Sequence, residues 1–132
     1  MRRSPGSTHP VLGGMVVAVG LICAAVAAQA QDPVKVAPNN FKVLLENDRV
    51  RVLDFHSNAG DKIPMHSHPA YISYSISGAG KTKFTSAEGK VTERPANTGQ
   101  ATWHEAETHA SEYSGSGGTH VLLVELKSPG GK

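Results

Sequence analysis

Thiol chemistry has almost no place in this sequence. Its one cysteine, Cys23, lies in an apolar N-terminal run, so the folded part holds neither an internal disulfide nor a cysteine-ligated metal. An excess of one charge is missing too: 13 Lys and Arg stand against 11 Asp and Glu, for a net +2. Setting aside Arg2 and Arg3 leaves about zero, which gives a nucleic-acid role no electrostatic footprint. Beyond residue 30 no stretch keeps a helical period over the dozen or so residues a helix needs. Nor is there an internal repeat, or a low-complexity tract beyond Gly115 to Gly118. A chain of 132 residues then leaves room for one all-β domain and no second core.

What is present begins with a targeting pattern. Arg2 and Arg3 form a positive start, Met15 to Ala28 is an apolar run, and Ala28-Gln29-Ala30 is a small-x-small cleavage site. The run is too short for a comfortable membrane span and is followed by polar chain. Residues 1–30 therefore read as a signal peptide, with Gln31 as the mature N-terminus, no stable membrane anchor and a periplasmic or secreted product. Ile22 before Cys23 is too bulky for a lipid-attachment site.

The mature chain reads as strands and turns. Residues 31–40, with two prolines and two asparagines, look like an extended arm. Phe41 to Glu46 and the alternating Arg49 to Phe55 are strands, joined by the turn pair Asn47-Asp48. Tyr71 to Ser77, Lys81 to Thr85, Val91 to Arg94, Gln100 to His104 and the apolar Thr119 to Leu126 follow, with glycine-rich or polar turns between them. The domain spans 41–127, and 128–132 is a frayed tail. Eight to ten short strands predict an antiparallel barrel or sandwich. Exposed edge strands near Phe41 to Glu46 predict a homodimer.

Within this pattern one stretch carries chemistry: Gly60-Asp61-Lys62-Ile63-Pro64-Met65-His66-Ser67-His68-Pro69. On a strand, His66 and His68 share a face, so two imidazoles aim at one point. Neutral imidazole suits zinc, iron, copper or nickel, which makes the pair half of a transition-metal site. Read blandly, it is a pair of surface histidines in a loop. Farther on, Tyr71, Ser73, Ser75 and Ser77 share one face of their strand, and Ile72, Tyr74 and Ile76 the other. Serines inward would give a polar pocket wall, and isoleucines inward an ordinary core; both stay open. His56 and His120 read as structural histidines, and His104 as solvent-facing.

These residues resemble a small single-domain cupin of the exported proteobacterial type, from Val43 to Lys127. Gly60, five residues, His66-Ser67-His68 and the closing Gly78 follow the first cupin motif. Gly99, Glu105 and His109 occupy places of the second. The resemblance implies a double-stranded β-helix barrel of antiparallel strands, with His66, His68 and His109 holding a divalent transition metal. Iron, zinc, nickel, copper and manganese are the candidates.

The departures are equally specific. The glutamate ligand of the first motif is missing, its place falling on Tyr71 or Ser73. Without that carboxylate the site loses preference for hard ions such as manganese. Tyr71 then reads as a phenolate ligand, as a donor to metal-bound water or as an aromatic lining the barrel mouth. Glu107, which replaces a motif glycine, is either a carboxylate on the face of His109 or part of a solvated rim loop. Tyr71 and Glu107 are the candidate catalytic residues. The resemblance implies a dioxygenase-like enzyme, or a related lyase or isomerase, acting on a small organic molecule. The alternatives are a non-catalytic module for metal or small ligands and a vestigial, structural unit.

Overall fold

A computed structural model describes residues 31–128. The segment read as a signal peptide lies outside the described residues, as does the tail from 129 onward. Strand periodicity organises the rest. One short helix, α1 (Pro33–Val36), precedes nine strands: β1 (Phe41–Glu46), β2 (Val50–Asn58), β3 (Lys62–His68), β4 (Tyr71–Ser77), β5 (Lys81–Ser86), β6 (Val91–Pro95), β7 (Ala101–His104), β8 (Glu107–Tyr113) and β9 (Gly118–Leu126).

The strands form two sheets, in the orders β1-β2-β9-β4-β7 and β3-β8-β5-β6. All pairings are antiparallel. Neither sheet closes on itself, so the expected barrel is corrected to two open sheets with a cavity between them. Alternation along each strand tells inner from outer faces, but it is silent on whether an edge finds a partner. Here β1 and β7 end one sheet, and β3 and β6 end the other. The β2–β9 ladder is unbroken over nine residue pairs, from Val50↔Leu126 to Asn58↔Gly118.

Odd-numbered residues of β2 and β9 point inward, and the buried cluster gathers Leu53, Leu123, Phe41, Ile63, Tyr71 and Ala37. Leu53 is fully buried, which is worth about 1.5–3 kcal/mol relative to an exposed leucine. The stretch read as an extended arm contains one helical turn. Asp32 caps it by accepting from Val34 N–H at 2.9 Å, and Pro33 supplies the preset first position. Arg51 on β2 reaches the same carboxylate at 3.1 and 3.2 Å. Gln31 carbonyl accepts from Ser67 N–H at 2.9 Å. The arm is thereby held beside β3, the strand that carries the histidine pair.

Candidate metal centre

His66 and His68 lie on β3, and His109 on β8 is the direct cross-strand partner of His66. Strand alternation brings the first two together, and antiparallel register brings the third. All three are buried, at 1%, 4% and 4% exposure. Each offers a ring nitrogen within 4.8 Å of the others. Metal–nitrogen bonds of about 2.0–2.1 Å need only modest ring rotations from there. The trio is therefore able to coordinate a divalent metal.

The hydrogen bonds set two of the tautomers. His66 Nδ1 lies 2.7 Å from the Pro64 carbonyl oxygen, an acceptor only, so Nδ1 carries the proton and Nε2 the free lone pair. His68 Nδ1 donates in the same way to Glu125 Oε1 at 2.6 Å. Glu125 is itself buried, and its other oxygen lies 3.8 Å from Arg51. A carboxylate behind a metal-facing imidazole fixes the ring and raises its basicity. His109 Nδ1 is buried without a hydrogen bond; Glu107 Oε1 is 3.4 Å away but poorly aligned. An orphaned ring nitrogen beside two converging lone pairs is the mark of a site built for a cation. Burial pushes the His66 imidazole down to about 4, and the neighbouring His68 and His109 push the same way against the Pro64 carbonyl. Neutral imidazole is the form that binds metal.

Glu107 begins strand β8, with its side chain 24% exposed, so the solvated rim loop is corrected. It accepts from Tyr71 hydroxyl at 2.6 Å and from Arg94 at 3.0 and 3.3 Å. Burial opposes its charge, but these donors and the adjacent His109 ring hold its carboxyl well below the usual carboxylate range. Burial and the bond to Glu107 push the Tyr71 phenol up. Without metal, Tyr71 is thus a protonated donor to Glu107. His104, expected in solvent, stacks on Tyr71 with ring centroids 4.4 Å apart and bonds Ser73 Oγ at 2.8 Å.

The trio opens into a cavity of about 400 Å³. Ser73 and Ser75 line it, whereas Ile72, Tyr74 and Ile76 of the same strand are exposed. Serines inward is therefore the orientation adopted. Ser75 Oγ is buried without a partner, leaving a hydrogen-bonding group for a ligand. Arg94 and Glu125 went unassigned in the sequence, and the outward, solvent-facing reading of His104 is corrected. For Glu125 a signal existed: it is the lone charge in Val121 to Leu126 and shares the face of Leu123. Arg94 carries no such signal.

The two sheets and the cavity between them have the fold of the cupin, or double-stranded β-helix, superfamily. Among solved structures, the chain is similar to a cupin domain from Bordetella pertussis Tohama I, with 18% identity over 67% of this chain and 92% of that one, at a TM-score of 0.60. A conserved protein with a double-stranded β-helix domain from Klebsiella pneumoniae matches at 22% identity, 69% and 78% coverage and TM-score 0.54. An RmlC-like cupin family protein from Methanocaldococcus jannaschii matches at 14%, 67% and 80%, and 0.51. No protein-family model matches the sequence, and no curated protein matches it. At these identities the likeness is one of fold, and activity has to be argued from the site.

Proposed function

We propose that the protein is an exported metal-dependent enzyme of oxygenase, lyase or isomerase type. Its metal is held by His66, His68 and His109, and its substrate is a small organic molecule taken into the cavity. One observation carries this reading: two imidazoles with fixed tautomers and a third with an unpartnered nitrogen converge, buried, in the wall of a cavity that Ser73 and Ser75 also line. A divalent metal there supplies Lewis acidity to a bound oxygen atom. The chain's own residues supply the rest. Glu125 and the Pro64 carbonyl orient the rings, Ser73 and Ser75 offer hydroxyls to a ligand, and the Tyr71 hydroxyl holds a proton beside the centre.

A second reading, capture of metal or ligand without turnover, draws on a specific feature. Glu107 is clamped by Arg94 and Tyr71, and a carboxylate stabilised in this way is a weak base. Metal analysis of the purified protein with His66→Ala and His109→Ala variants tests the centre. Each variant is expected to lose the metal held by the buried trio while keeping a β-type circular dichroism spectrum. Folded variants with wild-type metal would sink the three-histidine site. Export, with Gln31 as first residue, is checked by mass spectrometry of the exported protein. Homodimerisation through the open β1 edge is checked by light scattering.

A further inference from the structure

A second group of metal-ligating side chains lies on the opposite face of the five-stranded sheet, away from the cavity. Asp54 and His56 are two residues apart on β2, so both point outward where Leu53 and Phe55 point in. His120 on β9 is the register partner of His56. The two rings stack, with centroids 3.9 Å apart and planes 20° from parallel. Asp54 lies against both, with Oδ1 2.6 Å from His120 Nε2 and Oδ2 3.2 Å from His56 Nε2. The three donor atoms lie within 4.8 Å of one another. Side-chain exposures of 22%, 57% and 28% for Asp54, His56 and His120 leave the group open to solvent.

We infer that Asp54, His56 and His120 form a second divalent-metal site, independent of the buried trio and suited to zinc. Two imidazoles and one carboxylate on three sides, with water on the fourth, make a complete tetrahedral zinc set. Both Nε2 atoms already face one carboxylate, so the ion takes the place of the two ring protons, with each imidazole carrying its proton on Nδ1 instead. The supporting ladder is the long, unbroken β2–β9 pairing, which fixes the three backbone positions before any ion arrives. The donor sets differ in kind. The buried trio is neutral and enclosed, whereas the outer group brings a negative charge and open access, so its metal exchanges readily with the medium.

The test is zinc stoichiometry by equilibrium dialysis of the full chain after chelator treatment. The arms are wild type, His66→Ala, His120→Ala, His56→Ala and the double variant His66→Ala/His120→Ala. Removing His120 is expected to lower the count by one zinc per chain in the wild-type and His66→Ala backgrounds alike, and removing His56 to do so in the wild-type background. Asp54→Asn, of equal size, is expected to weaken that zinc at least tenfold with the fold unchanged. The inference is overturned if the His120→Ala and His56→Ala proteins bind as much zinc as their parents, or if Asp54→Asn leaves affinity unaltered. Failure of the buried trio reads differently: His66→Ala alone would then cost no zinc while His120→Ala still costs one.

Discussion

Glu125 shows how one side chain sets the properties of another. It is buried behind His68, and Arg51 and Asp32 continue the chain of charges outward. Glu125→Gln keeps the shape but removes the charge that makes His68 a stronger ligand. Metal affinity is expected to drop about 10–100-fold, measured by competition with a chromophoric chelator. His66 makes a second prediction, for the metal-free protein. Its imidazole titrates near 4 when folded and about 6.5 when unfolded. Below about 6.5 the unfolded chain takes up a proton that the folded chain refuses, so this contribution is full above that pH. It is lost as pH falls toward 4, and then levels off. The loss is about 3 kcal/mol at most, read from urea midpoints across pH. The convergence of His66 and His68 was legible from spacing alone. The contacts of Glu125 with His68 and of Arg94 with Glu107 span 57 and 13 positions, and no local pattern announces such pairs.

Strands such as the alternating Tyr71 to Ser77 and the apolar-rich Phe41 to Glu46 were readable with their bounds. β8 was not, because Glu107-Thr108-His109-Ala110-Ser111-Glu112-Tyr113 has almost no apolar side chain to alternate. Its inward residues are His109 and Ser111, which serve the cavity rather than an oily core, together with Tyr113. At the far end of β8 the Tyr113 hydroxyl bonds the Ala79 carbonyl and accepts from Ala79 N–H at 3.2 Å. This pins the β4–β5 turn to the end of β8. Gly115 lies against that joint: a Cβ there would come within 1.9 Å of both the Ala79 oxygen and the Tyr113 hydroxyl. Gly115→Ala is expected to cost roughly 1–3 kcal/mol, measured by thermal unfolding.

Across the whole molecule, the antiparallel all-β class was legible, and closure and the order of strands within each sheet were not. Whether two sheets meet at their edges depends on twist and register between distant strands, which composition and alternation do not encode. The orientation of β4 has a consequence for how the chain reaches its native state. Its small polar side chains face the interior, and Ile72, Tyr74 and Ile76 face out. A slip by one residue would turn the greasy face inward and fill the cavity, so the functional register competes with a more hydrophobic rival. Past Ser75 the β4–β9 ladder already skips one position, pairing Ser77 with His120. Refolding should therefore show a slow phase as trapped chains escape that rival. Ser75→Val, which makes the native face oilier, is expected to shrink that phase in stopped-flow fluorescence from Trp103, beside Ile72 in the ladder. An unchanged slow amplitude would mean that β4 never samples the alternative. An open cavity is in this sense a frustrated one, kept empty by a strand that folds against its own hydrophobicity.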